Sequence, residues 1–132
     1  MSVGLVLVSH SRQVGEGLAE MLGQLARGRV QIAVASGASD GGLGTDATAI
    51  SSAIESVDSQ DGVLVLADLG SAVLATESAF ELLPSDLRDR VQMADAPLVE
   101  GAVAAAVLAS TDEDLDQVRS AAEEAREFRK LR

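Results

Sequence analysis

The chain opens with an apolar run, Val3 to Val8, that stops at Ser9-His10-Ser11, and a similar run from Gly62 to Ala67 stops at Asp68. Short apolar runs of this kind, bounded by polar residues and without alternation, predict strands buried on both faces of a parallel sheet. Val30 to Ala35 is a weaker third case and Arg90 to Ala94 a short fourth. Between them the period lengthens. Val14, Leu18, Met21, Leu22 and Leu25, then Ala47, Ile50, Ile54 and Val57, then Ala72, Thr76, Ala79, Phe80 and Leu83 fall at helical spacing and predict three helices. A fourth is expected after Pro97, since proline suits a first turn. A fifth carries Leu115, Val118, Ala122 and Ala125, with Thr111 and Asp114 approximating a capping box ahead of it.

Strand and helix in alternation imply right-handed crossovers and an α/β fold: an open, mostly parallel sheet with helices on both faces, flavodoxin-like in outline. With 132 residues, 47% of them hydrophobic, one domain spanning residues 1–132 is expected. In such folds chemistry gathers at the carboxyl ends of the strands. Three polar clusters fall there: "SHS" after the first strand, "GGLGTD" after the second and "DLGS" after the third.

Composition narrows what those clusters can do. Asp and Glu number 21 against 10 Lys and Arg, a formal net charge of -11, and no basic residue stands between Val30 and Leu87. Nucleic acid is therefore not an expected partner, because phosphate counterions need a cationic stripe to replace them. With two Phe and no Trp or Tyr, there is no platform for base stacking either. The absence of cysteine removes disulfides and thiolate chemistry, and a single histidine does not make a zinc site, so neither metal nor cofactor is expected. The N-terminal apolar run lacks a basic flank and falls far short of the roughly 20 residues of a membrane span. A cytoplasmic location, away from any membrane, is expected.

His10 is the centre of the chemistry. Ser9 and Ser11 are either caps for the first helix or hydroxyls that hold a phosphoryl oxygen beside the imidazole. Asp68 closes a strand and either caps the third helix with Ser71 or fixes the imidazole tautomer; the orienting role is preferred. Thr45 and Asp46 are expected to cap the second helix, with a direct role for Thr45 left open. Arg12 either assists a phosphoryl group or is a solvated helix-start residue. The loop from Gly37 to Gly44 is neither a Walker motif nor a dinucleotide fingerprint, and serves as a flexible rim. A serine-hydrolase triad fails because there is no GxSxG elbow and the adjacent side chains of Ser9, His10 and Ser11 point apart. The imidazole itself remains as nucleophile.

Taken together, "VSHS" with "GEG" close behind, "GTD", "DLGSA" and "APLVEGA" resemble the phosphotransferase subunits of phosphoenolpyruvate-dependent dihydroxyacetone kinases. These group with the mannose-type enzyme IIA proteins of the sugar phosphotransferase system. The likeness covers nearly the whole chain. It implies the mannose-type enzyme IIA fold and a phosphohistidine relay: His10 would take a phosphoryl group from the carrier protein HPr and pass it to ADP on the nucleotide-binding kinase subunit (DhaL-like). Dihydroxyacetone would then be phosphorylated on a third subunit. By the same resemblance Asp68 orients the imidazole, Gly70 and Ser71 lie near the phosphoryl oxygens, and the protein is a homodimer.

Mannose-transporter relatives usually carry "THG" and "GGSP" where this chain has "SHS" and "DLGSA", which favours the kinase branch. The chain is expected to lack the carrier-like domains that some members of that branch carry downstream, with separate proteins supplying the earlier relay steps. Transfer between two proteins calls for an exposed ring nitrogen at a shallow face rather than a deep pocket. Two alternatives stand beside this one: an enzyme IIA of a mannose-type sugar transporter, and a non-catalytic regulatory module binding partners through its acidic face.

Overall fold

A computed structural model describes residues 2–131; Met1 and Arg132, the ends of the expected domain, lie outside the described residues. The elements run β1 (Gly4–Ser9), α1 (Arg12–Leu25), β2 (Ile32–Ser36), α2 (Ala47–Ser56), β3 (Val63–Ala67), α3 (Gly70–Glu81), α4 (Ser85–Arg88), β4 (Val91–Met93), α5 (Leu98–Ala109) and α6 (Leu115–Glu124). Strand order is β2-β1-β3-β4 and each neighbouring pair is parallel. The α/β architecture with an open parallel sheet is thus as expected.

The sheet divides the core by residue parity, as a period of two requires. Leu5, Leu7, Leu64 and Leu66 face one side, where α1, α5 and α6 cover them with Leu18, Leu22, Ala102, Ala106, Val118 and Ala122. Val6, Val8, Val63 and Val65 face the other, against Ile50 and Ile54 of α2 and Ala72 and Ala79 of α3. Both central strands are buried along their whole length, which explains why their sequences are runs rather than alternations.

Two local expectations are corrected and one element is added. Helical spacing predicts an apolar stripe of Val14, Leu18, Met21, Leu22 and Leu25 on α1, but Val14, Met21 and Leu25 are all more than 40% exposed. The buried face is Gly15, Leu18 and Leu22. Gly15 sets this rotation, because a Cβ there would stand 2.5 Å from Ser36 Oγ and 2.7 Å from a Val34 methyl; the helix settles on its glycine and turns Val14 outward. The α6 capping box is formed by Asp114 and Gln117 rather than Thr111. Thr111 instead donates to Leu108 O at 2.7 Å, and Asp112, at φ 63, breaks the helical path between the two. Finally, α4 is a single turn that helical periodicity does not register.

Candidate active site

The parallel register decides which polar residues meet. Val8 pairs with Ala67 and Ser9 with Ser36, so the three clusters leave the sheet side by side at its carboxyl edge. Asp68 N donates to Val8 O at 3.1 Å and Gly37 N to Ser9 O at 3.0 Å, tying the outer turns to β1 as it ends. His10 therefore leaves the sheet directly beside Asp68.

Asp68 is the hub. Its Oδ1 accepts the His10 ring nitrogen Nδ1 at 2.9 Å and the Leu69 amide at 2.7 Å; its Oδ2 accepts the His10 amide at 2.9 Å and the Ser9 hydroxyl at 3.1 Å. Burial pushes this carboxyl up, but the His10 amide, the His10 ring, the Leu69 amide and the Ser9 hydroxyl together outweigh it and hold Asp68 below the ordinary carboxylate value. An ionised carboxylate only accepts, so Nδ1 carries a proton, and in the neutral ring Nε2 keeps a lone pair. That lone pair meets Ser71 Oγ at 2.5 Å, and the Ser71 hydroxyl donates to it. The His10 side chain is 23% exposed, buried on its Nδ1 side and open towards Ser71.

Ser71 belongs to the first turn of α3, whose N-cap position is Leu69, a residue with no side-chain hydrogen bond to offer. The leading amides of a helix have no intrahelical partner and carry its positive end. At α3 that end opens beside Nε2, with Gly70 as its first residue. The geometry has the parts needed to receive an anion: an imidazole lone pair, an uncapped helix terminus and a movable hydroxyl.

The other expected residues are distributed around this core. Ser11 is the N-cap of α1, its hydroxyl accepting from Val14 N at 3.4 Å. Ser9 is fully buried and lies behind the carboxylate, away from Nε2. Asp46 caps α2 through Thr48 N at 2.9 Å and Ala49 N at 3.4 Å. Thr45, half-buried before it, is not hydrogen-bonded to the imidazole; its neighbour Gly44 donates its amide to His10 O at 3.0 Å. The glycine loop is thus fastened to the histidine backbone. Arg12 is exposed at the start of α1 and shares a shallow depression with Gly41, Gly42 and Leu43.

Sequence reasoning missed the apolar rim. Leu69 is 63% exposed and Leu43 80% exposed, one on each of the two turns that flank His10. Leu69 and Val73 join Met93 and Ala96 in a cleft beside Asp68. The signal was present as a leucine inside each polar cluster, "GGLGTD" and "DLGS". Among the described residues no group of three or more histidine or carboxylate side chains is placed to hold a metal. Among the same residues no helix is long and apolar enough to cross a membrane.

Comparison with known proteins identifies the family. The family model described as PTS system fructose IIA component, EIIA-man, matches residues 4–119. The phosphoryl donor subunit DhaM of the PEP-dependent dihydroxyacetone kinase of Escherichia coli is 46% identical over 119 residues, covering 88% of this chain and 25% of that protein. A DhaM subunit of Listeria innocua is 42% identical over 105 residues, covering 80% of this chain and 84% of that protein. The chain thus spans about a quarter of the length of the Escherichia coli relative and most of the Listeria one. A crystal structure of a protein of unknown function superposes with a TM-score of 0.80 at 40% identity, covering 93% of this chain and 94% of the other. A sigma-54 interaction domain protein from Enterococcus faecalis, at 16% identity and a TM-score of 0.69 over 96% of this chain and 91% of its own, shares the fold. The chain belongs to the EIIA-man family, the PTS system fructose IIA components, and its curated relatives there are DhaM phosphoryl donor subunits of dihydroxyacetone kinases.

Proposed function

We propose that this chain, as one phosphotransferase domain, carries a phosphoryl group on His10 Nε2. It takes the group from phospho-HPr and delivers it to ADP held on the nucleotide-binding subunit of a dihydroxyacetone kinase. The observation that carries this reading is the line Asp68 to Nδ1, Nε2 to Ser71: the carboxylate accepts from Nδ1, and in the neutral ring Nε2 is left as the nucleophile. In the first step the Nε2 lone pair attacks phosphorus. The new N–P bond forms as the bond to the donor nitrogen breaks, and the donor leaves as a neutral imidazole. The proton stays on Nδ1, where the Asp68 carboxylate balances the charge that develops on the ring. Ser71 releases Nε2 and turns its hydroxyl to a phosphoryl oxygen, alongside the free amides at Gly70 and Ser71. The second step reverses these events with a terminal oxygen of ADP as acceptor.

An excess of 11 negative charges suits a protein whose nucleotide is held by its partner, since a free one would be repelled. Ser11 and Thr45 stand at the margin of the phosphoryl site, and the working form is a homodimer. The description of the family as PTS system fructose IIA component favours a second reading, in which the acceptor is a sugar transporter.

The test is intact mass after incubation with phosphoenolpyruvate, enzyme I and HPr. The native chain should gain one acid-labile phosphoryl group and His10→Ala none, with its fold retained by circular dichroism. Absence of any gain with active carriers overturns the relay. Supplying the labelled protein with ADP and the kinase subunit, or with transporter membranes, separates the two acceptors.

A further inference from the structure

The relay proposed for His10 leaves one buried polar group of the site without a task. Ser9 ends β1 with 0% of its surface exposed, and its single hydroxyl proton is committed to Asp68 Oδ2 at 3.1 Å. Ser9 Oγ in turn accepts the Ser11 amide at 3.2 Å. A hydroxyl so placed has no proton left for a phosphoryl oxygen and no path to one. What it does is join two segments: a carboxylate from the end of β3, and the amide just past the imidazole on the turn leaving β1.

We infer that Ser9 is a positioning residue, which fixes the Asp68 carboxylate against the His10 turn so that Oδ1 faces Nδ1 and the ring presents Nε2. The two carboxylate oxygens divide the work. Oδ2 is the anchor, held by Ser9 Oγ and His10 N; Oδ1 is the working oxygen, held by Leu69 N and bonded to the ring. Without the Ser9 hydroxyl, Oδ2 keeps one donor and the Ser11 amide loses its acceptor. The carboxylate plane and the turn then loosen together, and the ring can adopt the other tautomer, in which Nε2 is protonated and cannot attack phosphorus.

The kinetic part of this inference rests on the relay reading, but the tautomer does not, so two readouts are needed. Nitrogen-15 NMR of unphosphorylated, histidine-labelled protein should show the Nδ1-protonated tautomer in the native chain and a mixture in Ser9→Ala. The rate of phosphoryl uptake from HPr should fall about tenfold in Ser9→Ala, the scale of one hydrogen bond to a charged group, and recover in Ser9→Thr, which keeps the hydroxyl. In an Asp68→Ala background, Ser9→Ala should change the rate less than about twofold, because a residue acting through another has nothing left to act on. Ser9→Cys, a weaker donor of similar size, reads the same quantities if Ser9→Ala does not fold. A native tautomer in Ser9→Ala, or an equal loss of rate with and without Asp68, overturns the assignment. If the native chain takes no phosphoryl group, the relay fails and the tautomer measurement still judges Ser9.

Discussion

Two helices start at the same edge of the sheet, pack on the same face and are each preceded by an aspartate, yet only one of them is closed. Asp46 stands immediately before Ala47 with extended backbone, and its carboxylate takes the amides of Thr48 and Ala49. Asp68 stands one residue further back from its helix, so Leu69 occupies the cap position of α3 and leaves it open. That one-residue difference frees the Asp68 carboxylate to turn sideways to His10, which the central strand β1 delivers beside it. The same side chain is a structural cap in one place and an imidazole partner in the other. The helix end it leaves uncapped is a positive terminus of the kind that receives anions.

Substitution at either aspartate tests this difference. Asp68→Ala should lower the rate of phosphoryl uptake roughly ten- to a hundredfold, the usual cost of losing the partner that orients a working histidine. It should not abolish uptake, since Nε2 and α3 remain. Rapid-quench mass measurement with phospho-HPr reads this, and an unchanged rate would leave Asp68 no role in the chemistry. Ser71→Ala removes the hydroxyl facing Nε2 and should slow uptake about fivefold, on the scale of one neutral hydrogen bond; a faster rate would mean that the hydroxyl only blocks the lone pair. Asp46→Ala should do the reverse of Asp68→Ala, costing about 1 kcal/mol of folding stability in a urea titration, the ordinary value of a helix cap, with the uptake rate within about twofold of native.

The smallest expected effect is in acid. Because the native carboxyl of Asp68 is held below its ordinary value of 3.8, the unfolded chain binds more protons than the native one as pH falls through that region. The Asp68 contribution to stability is complete above that ordinary value and is lost as pH drops below it towards the lowered native value. Thermal unfolding between pH 3 and pH 7 should show this loss in the native chain and a smaller one in Asp68→Asn. Identical profiles would mean that the four donors around Asp68 contribute nothing to folding.

Much of the site was legible because the polar clusters interrupt otherwise apolar strand ends. A histidine after Val8 and an aspartate after Ala67 can only emerge at a carboxyl edge once the strands are parallel. What could not be read was the side on which each hydroxyl falls. Ser9 and Ser11 flank His10 symmetrically in sequence, yet Ser9 is the last residue of a buried strand and faces inward, whereas Ser11 begins a helix and caps it. The buried face of α1 departs from its hydrophobic spacing for a related reason. Hydrophobic periodicity treats glycine as silent, while at Gly15 the missing Cβ is what lets the helix touch β2.

Local period and residue type were enough to set the alternation of elements, the layering of the core and the side chains available for chemistry. It took the assembled sheet to put β1 between β2 and β3, to set Val8 opposite Ala67, and so to turn Asp68 to His10 instead of to its own helix. Those outcomes depend on strand register, which shifts a side chain from one neighbour to another by a single residue and leaves no trace in the composition of any one segment.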